Sequence, residues 1–248
     1  MLADVGHTLN RNLHEIDAEV PCTHDAYGVA PGTKGIIVTA ITKLGHSSIA
    51  LEKDERILVI DPGNLSPHDR VRDAEAVIVT HAHPDHIVVD ALDGSAAEVW
   101  GPQEVADVLV RDGIATTRIH VVAPGDTFSP AGFSVTAFGG QHAAVFPGMK
   151  VLQNNAYLVD EELFHPGDSF TTAPDPALVK VLFTPIAAPW LKLAETMDFI
   201  HAHPDADIVP IHDAILSDAG IGITDGVLRS RFEERAYRRI RKDETLWT

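Results

Sequence analysis

The chain has 248 residues, of which 45% are apolar, and a formal net charge of −17. This acidity excludes a general nucleic-acid binder, which needs a basic face. The apolar content excludes an intrinsically disordered chain and is enough for a sizeable core. The single cysteine, Cys22, excludes an internal disulfide and fits a reducing cytoplasm.

The chain starts without a basic, then apolar leader, and no apolar run approaches the length of a membrane span. We therefore expect a cytoplasmic protein with a small-molecule substrate and with neither a membrane nor a nucleic-acid partner. Residues 1–34 have weak periodicity and predict an irregular arm, which lies on the domain or on a partner subunit. We accordingly expect a homo-oligomer, with a mobile tail as the alternative for the arm. Residues 35–248 are predicted to form one domain.

Regular structure is predicted to begin with three short strands rich in β-branched residues, at 36–41, 48–52 and 56–60. A strand at 76–79, a short helix at 85–92 and a strand at 98–100 follow. A helix is predicted at 102–111, with proline in its first turn and Gly113 after its end. Another strand is predicted at 118–122.

The second half repeats this order. Strands are predicted at 133–138, 154–159, 163–165, 181–185 and 208–211, with a helix at 189–201 before the last of them. Because strands come first in each half, the pattern favours a sandwich of two mixed sheets with outer helices over a doubly wound parallel sheet.

The last segment, 225–246, is predicted to be a basic C-terminal helix. It contains seven basic and five acidic residues. One interpretation is a solvated helix that pairs with the acidic body. The other is a patch that binds an anionic partner or a phosphate of the substrate.

The chemistry is concentrated directly after the predicted strand at 76–79. Four side chains that bind metals fall within six residues there: His81, His83, Asp85 and His86. Imidazole and carboxylate groups are ligands of borderline divalent metals such as zinc. The first two histidines point the same way in an extended segment, and the second pair follows a proline that allows a turn. This geometry predicts two metal ions in one site.

A two-metal site needs about six or seven ligands, so others must come from elsewhere in the chain. Three residues at predicted strand ends qualify: His142 in F-G-G-Q-H, Asp168 in H-P-G-D-S and His212 in V-P-I-H-D. Glycine beside a ligand lets the backbone approach a site closely.

In this order, T-H-A-H-P-D-H, a lone histidine, G-D-S and P-I-H resemble the metallo-β-lactamase superfamily. The resemblance covers residues 35–212. The stretch I-T-K-L-G-H-S-S-I-A-L-E, leading to I-L-V-I-D-P, is most similar to the branch of ascorbate-6-phosphate lactonases and related metal-dependent hydrolases. The resemblance implies an α/β fold, a four-layer αββα sandwich of two mixed β-sheets, with the site at the sheet edges.

The resemblance also implies a ligand set. By position, the first metal would be bound by His81, His83 and His142. The second would be bound by Asp85, His86 and His212, and Asp168 would bridge both. Asp61 matches an aspartate that supports a ligand.

The chemistry of two dications predicts a hydrolase, in which a metal-bridging hydroxide opens a small, anionic lactone or ester. Zinc is the expected metal, with manganese or iron as alternatives. Asp85 could also relay a proton, and His46 in G-H-S-S is a candidate for contact with the substrate or a ligand. A phosphodiesterase on the same metals, and a metal-binding sensor or assembly subunit without turnover, remain alternative functions.

Three further residues and one segment are weaker candidates for the site. Gln141 is a candidate substrate contact or a turn residue, whereas His165 is expected to pack in the core or beside the ligands. Trp190 is expected in the core, with a pocket wall as the alternative. The H-A-H-P-D sequence at 201–205 repeats the first cluster, but it follows a predicted helix and is rejected as a metal site.

Overall fold

Two β-sheets face each other in the computed structural model, which describes residues 38–241 and 244–248. The first sheet has the strand order β13-β1-β2-β3-β4-β5-β6. Its strands are β1 (Ala40–Gly45), β2 (Ser48–Lys53), β3 (Arg56–Ile60), β4 (Ala76–Ile78), β5 (Glu98–Gly101), β6 (Ile119–Val121) and β13 (Leu246–Trp247).

The second sheet has the order β12-β11-β10-β9-β8-β7. Its strands are β7 (Thr127–Phe128), β8 (Val135–Gly139), β9 (Asn155–Val159), β10 (Leu163–His165), β11 (Val181–Pro185) and β12 (Asp207–Ile211). The helices are α1 (Asp69–Asp73), α2 (Gln103–Arg111), α3 (Leu193–His201) and α4 (Asp218–Arg231). Both sheets are mixed, since β3 to β6 are parallel and β1 to β3 antiparallel, while β10 to β12 are parallel and β7 to β10 antiparallel.

Alternation along the strands divides the core into three apolar clusters. Ile49 and Leu51 of β2 point into the cluster between the sheets, together with Phe183 of β11. Ala50 points outward to the cluster under α1 and α2, and Leu182 to the cluster under α3 and α4. Because neighbouring residues on a strand face opposite sides, each sheet is buried on both faces. The four-layer αββα sandwich predicted from the sequence is therefore confirmed.

Hydrogen bonds join the two halves at the edge where β4 ends. Asn155 N–H donates to Thr80 O at 2.9 Å, and Tyr157 Oη donates to Val79 O at 2.8 Å. His212 N–H donates to His46 O at 3.0 Å. The two sheets are consequently held together at this edge by hydrogen bonds to main-chain carbonyl groups.

The predicted helix at 85–92 is wrong in its first half. Asp85 and His86 lie in a turn, and only a short 3₁₀ helix, Val89–Leu92, follows. The turn is closed by His86 N–H and Ile87 N–H, which both donate to His83 O at 3.0 Å. This tighter path keeps Asp85 and His86 beside the end of β4 instead of carrying them away along a helix.

The predicted helix at 225–246 is correct only as far as Arg231 and is wrong beyond it. The helix begins earlier, at Asp218, and ends at Arg231, after which the chain runs along sheet edges. Ile208 N–H donates to Ala236 O and Arg238 N–H donates to Ile208 O, each at 2.8 Å. Farther on, β13 pairs with β1. Open strand edges present unpaired backbone groups, and satisfying them outweighs the helical propensity of this segment.

The basic residues of this segment pair with the body of the domain. Arg238 Nε lies 2.6 Å from Asp207 Oδ2, and Arg235 donates to the carbonyl groups of Ile200 and Ala206. These contacts agree with the first of the two interpretations made from the sequence, in which the segment pairs with the acidic body. The predicted arm at 1–34 lies outside the described residues. In the described part of the chain, no helix is long and apolar enough to cross a membrane.

Candidate metal centre

The predicted ligands lie where the carboxyl ends of parallel strands from both sheets meet. His81, His83, Asp85 and His86 follow β4, and His212 follows β12, while the predicted supporting residue Asp61 follows β3. His142 and Asp168 follow β8 and β10. Ends of parallel strands share one edge of a sheet, so residues far apart in the sequence become neighbours. All seven predicted ligands come together here.

One group consists of His81, His83 and His142, whose nearest ligand atoms lie within 4.8 Å of one another. His81 Nε2 and His83 Nδ1 are 3.0 Å apart. Two nitrogens on one tetrahedral zinc at the usual bond length are separated by about 3.3 Å. The spacing of these two nitrogens therefore suits a shared ion.

A second group consists of Asp85, His86 and His212, together with His46. His212 Nε2 lies 3.5 Å from Asp85 Oδ2, and His86 Nε2 lies 3.8 Å from the same oxygen. Asp85 is the exposed member, with 28% of its side chain accessible, whereas the three histidines are buried. This group therefore has one face open to a ligand from solution.

Asp168 lies between the two groups. Its Oδ1 is 3.0 Å from His86 Nε2, and its Oδ2 is 3.3 Å from His142 Nε2 and 3.1 Å from His212 Nε2. One carboxylate thus contacts histidines assigned to both ions, which is the placement that a bridging ligand requires.

Each of four histidines has its Nδ1 turned to an oxygen outside the cluster. His81 Nδ1 lies 3.0 Å from Thr80 Oγ1, and His86 Nδ1 lies 2.8 Å from Asp61 Oδ2. The other two Nδ1 atoms face carbonyl oxygens. His142 Nδ1 lies 2.6 Å from Ala143 O, and His212 Nδ1 faces Ala187 O. These oxygens accept the proton on Nδ1, so the Nε2 atoms carry lone pairs into the cluster.

Several of these inward atoms are buried and make no hydrogen bond of good geometry, namely Nε2 of His86, His142 and His212 and Oδ1 of Asp168. Asp168 oxygens nevertheless lie 3.0–3.3 Å from the three nitrogens. A buried polar atom without a partner costs about 1–3 kcal/mol. Four such atoms converge on one point. Each of them can be a ligand of a dication, so the arrangement fits bound divalent metal ions. The residues present therefore suit the two metals that the sequence predicts.

The Asp61 carboxylate holds the first strand end in place. Its Oδ1 accepts from Thr80 N–H at 2.7 Å, and its Oδ2 accepts from Thr80 Oγ1 at 2.8 Å and from His86 Nδ1. Asp61 is fully buried and adopts a positive φ of 48°. These contacts agree with the supporting role that the sequence predicts for Asp61. Thr80 was not singled out from the sequence, although it directly precedes His81.

Asp168 is held by residues that sequence reasoning did not place around it. Trp190 Nε1 donates to Asp168 Oδ2 at 3.0 Å, and Asn154 Oδ1 accepts from Asp168 N–H at 3.0 Å. Gly167 has a φ of 59°, and a Cβ there would meet Asn154 Oδ1 at 2.3 Å. Only glycine allows this close approach. The glycine beside the ligand was a usable sequence signal, but nothing in the sequence identified Asn154.

Comparison with known proteins places this site in a family. The profile described as "Beta-lactamase superfamily domain" matches residues 40–212, which contain all seven predicted ligands. The chain belongs to the metallo-β-lactamase superfamily. Protein Rv0786c of Mycobacterium tuberculosis is 37% identical over 199 residues, which cover 76% of this chain and 90% of that protein. A UPF0173 metal-dependent hydrolase of Desulforamulus reducens is 30% identical over 141 residues, covering 52% of this chain and 61% of that protein.

Solved structures show the same fold. Igni18, a metallo hydrolase of Ignicoccus hospitalis, superposes with a TM-score of 0.64 at 19% identity, covering 85% of this chain and 98% of that one. The metallo-β-lactamase fold protein YhfI of Bacillus subtilis superposes with a TM-score of 0.63 at 13% identity, covering 86% and 100%. The family predicted from the sequence is therefore confirmed, and the names of several relatives agree with the predicted enzyme class.

The candidate ligands of this member of the metallo-β-lactamase superfamily differ in pKa. Burial would lower the pKa of His86, but Asp168 and Asp61 raise it well above its ordinary value. Burial would also lower the pKa of His212, but the Asp168 and Asp85 carboxylates raise it to about 9. Burial lowers the pKa of His81 and of His83. Protons on His86 and His212 would thus partly neutralise the carboxylates when no dication does so.

His46 is oriented toward the cluster by its neighbours. Its Nδ1 accepts from Ala214 N–H at 3.3 Å, so the proton of the neutral ring lies on Nε2, 3.3 Å from Asp85 Oδ2. Its ring centroid is 4.0 Å from that of His212, and its φ is 41°. Because a protonated Nε2 cannot bind a metal, this arrangement presents His46 as a hydrogen-bond donor at the site.

Of the remaining candidates, His165 packs in the core beside the candidate ligands, as expected from the sequence, because its Nδ1 accepts from Gly167 N–H at 3.2 Å, directly before Asp168. Gln141 is exposed, and His165 is buried with its Nε2 3.0 Å from Ser47 O. The rejected H-A-H-P-D segment lies at the end of α3, where His203 Nδ1 faces Phe199 O and His203 Nε2 accepts from Ala173 N–H. Both nitrogens of this histidine are occupied, so it holds the local packing together.

Proposed function

We propose that the chain is a binuclear metal-dependent hydrolase that opens a small lactone or ester. The observation that carries this proposal is the convergence of buried, unpartnered Nε2 and carboxylate oxygen atoms at the meeting edge of the two sheets. Membership of the superfamily and the names of the relatives support the same reaction class.

The residues divide between two ions as the family resemblance implies. His81, His83 and His142 would hold the first ion, and Asp85, His86 and His212 the second, with Asp168 shared. Bound dications lower the pKa of a water so that hydroxide is available near neutral pH, and they stabilise negative charge on a substrate oxygen. We propose zinc, which suits histidine-rich sites, with manganese or iron as alternatives.

Asp85 and His46 are the proposed groups that handle protons. Asp85 has the most exposed carboxylate of the site, and His46 Nε2 holds a proton 3.3 Å from its Oδ2. An Nε2–H group so placed can donate a hydrogen bond to the negative charge that develops on the leaving alkoxide of an opened ester, while Asp85 orients the donor. Burial lowers the pKa of His46, which keeps the ring neutral at physiological pH.

Two other functions would use the same cluster. A phosphodiesterase needs the same pair of ions, and a sensor or assembly subunit would bind metal without turnover. The open face at Asp85 favours catalysis, because a purely structural site is closed by its ligands.

The proposal is tested with metal-loaded protein on matched panels of lactones, aryl esters and bis-aryl phosphates. We expect two ions per chain by elemental analysis, hydrolysis of esters or lactones, and loss of at least about 1,000-fold in kcat for Asp168→Asn. His201→Ala, an exposed histidine at the end of α3, is the control and should retain full activity. Ester hydrolysis that is unchanged in Asp168→Asn, or a metal content unchanged in His81→Ala/His86→Ala, contradicts the proposal.

Location and assembly stay predictions. A cytoplasmic location rests on the single cysteine, and a homo-oligomer rests on the arm at 1–34. Size-exclusion chromatography with light scattering tests the second.

A further inference from the structure

A cavity of about 420 Å³ lies next to His46. It is formed by the end of β1, the loop after β3, the loop after β12 and the start of α4. Its apolar wall consists of Leu44, Leu65, Pro67, Leu216, Ile221 and Ile240. This volume and this lining are those of a small-molecule site, in which apolar walls surround a few polar groups.

The cavity is built from the loops that carry the metal centre. His46 lines it and also contacts Asp85. On one side, Leu65 follows Asn64, whose N–H donates to Pro84 O at 2.9 Å, directly before Asp85. On the other side, Ala214 lines the cavity two residues after His212. A substituent in this cavity therefore lies one imidazole ring away from the open face of the metal centre.

The charged groups of the cavity wall are already paired. Lys43 Nζ lies 2.6 Å from Asp213 Oδ2, which also accepts from Arg239. Arg239 in turn donates to both oxygens of Asp225. Two cations and two carboxylates form a closed, neutral network. Among the described residues that line the cavity, no cation is left to bind an anionic group.

We propose that this cavity binds an uncharged aliphatic substituent of the substrate. The inference rests on the proposed function, and it names the substrate class as lipophilic esters or alkyl-substituted lactones. It replaces the anionic substrate expected from the sequence, because the two cations of the C-terminal segment nearest the cavity, Arg238 and Arg239, pair with Asp207, Asp213 and Asp225. Leu65, with 41% of its surface exposed at the rim, would be covered by such a substituent.

The first test is a chain-length series with the metal-loaded enzyme. For 4-nitrophenyl esters from acetate to octanoate, we expect kcat/KM to rise about fourfold for each methylene that the cavity buries. A hexanoate ester that ends in a second carboxylate should be slower than the uncharged ester. A flat or falling profile, or preference for the ester with the carboxylate, overturns the inference while leaving the hydrolase proposal intact.

Matched variants localise the effect. Ile221→Trp fills the cavity and should remove the rise with chain length. Ile223→Trp is the control on the same helix, because Ile223 is 70% exposed and does not line the cavity. Leu65→Trp, in an exposed loop, gives the same test if Ile221→Trp does not fold. Chain-length dependence that survives in both cavity variants contradicts the assignment.

A binding measurement separates the cavity from catalysis. 2-Octanone is a neutral probe that is not hydrolysed, and saturation-transfer NMR should detect its binding to the wild type and to Ile223→Trp. We expect at least about a tenfold weaker interaction in Ile221→Trp or Leu65→Trp. Binding without ester hydrolysis would contradict only the proposed function, whereas hydrolysis without binding of 2-octanone would contradict only the cavity.

Discussion

At the scale of single residues, the candidate site depends on how each imidazole is turned. The Nδ1 atoms of His81, His86, His142 and His212 all face oxygens of the protein, so their Nε2 atoms face one another across the cluster. Asp61 is the one carboxylate among these outer acceptors, and it takes hydrogen bonds from Thr80 as well as from His86. Groups that orient ligands contribute to metal affinity without touching the ion.

Replacing Asp61 by asparagine tests this support. All three hydrogen bonds to the Asp61 carboxylate are donated by its partners. The amide group in Asp61→Asn has only one oxygen to accept them, and its NH₂ group must face another donor. We expect the affinity of the second ion to fall about 10- to 100-fold, measured by competition with a chromophoric chelator. Asp93→Asn, at an exposed aspartate, is the control. Equal affinities in the two variants would show that Asp61 does not support the ligand.

The raised pKa of His212 predicts how metal binding depends on pH. With a pKa of about 9, His212 is protonated at pH 7 in the metal-free protein, so a dication must displace that proton. Affinity should therefore increase by at least about tenfold per pH unit between pH 7 and pH 9. Calorimetry in buffers of different ionisation enthalpy measures the released protons. An affinity that is constant from pH 7 to pH 9 would refute this prediction.

At the scale of elements, strand ends position the ligands and sheet edges determine the path of the C-terminus. His46, Asp61 and His212 all adopt positive φ values directly after strands or in the β1–β2 turn, at the edge where the candidate site lies. Such backbone is strained for residues other than glycine and persists where surrounding contacts demand it. The chain is no longer helical after Arg231, because the edge strands β12 and β1 offer partners for its backbone hydrogen bonds.

Two neighbouring arginines of this segment should differ in their effect on stability. Arg239 has only 16% of its side chain exposed and contacts Asp213 and Asp225, whereas Arg238 is 50% exposed and contacts Asp207. Arg239→Ala leaves two largely buried carboxylates without this partner, and we expect a loss of about 2–3 kcal/mol in the free energy of unfolding. Arg238→Ala should cost less than about 1 kcal/mol. Urea denaturation measures both, and equal losses would contradict the assignment of a buried network.

At the scale of the whole molecule, the fold and the metal centre have separate sources of stability. Three apolar clusters lie between and outside the sheets, and none of them includes a predicted ligand. The ligands, in contrast, come from loops of both halves. The fold should therefore form without metal, and metal should stabilise it by binding the native state alone.

Removing the metal tests this separation. Binding at about 1,000 times Kd contributes about 4 kcal/mol, which for a domain of this size corresponds to a shift of about 10 °C in Tm. We expect the chelated protein to keep its far-UV circular dichroism spectrum and to unfold at a lower temperature. An unfolded chelated protein, or an unchanged Tm, would contradict this prediction.

The sequence by itself determined most of the strands, the layer order and the seven candidate ligands. The short strands β7 and β13 were not predicted, and the first strand was predicted at 36–41 but is observed at Ala40–Gly45. Short runs of β-branched residues indicate buried strands from the local sequence alone. The cluster after the fourth strand is equally local, because four metal-binding side chains lie within six residues: His81, His83, Asp85 and His86. The decoy at 201–205 could likewise be rejected because its local context is helical.

Only the tertiary structure decided which atoms face one another. Trp190 and Asn154 contact Asp168 across 22 and 14 positions of the chain, and the Nδ1 atom of His212 faces Ala187 O, a carbonyl with no sequence signature. The C-terminal path and the neutral network of Lys43, Asp213, Arg239 and Asp225 also arose from partners distant in sequence. Local patterns encode periodicity and composition, whereas these contacts depend on the free edges, carbonyls and charges that packing brings together.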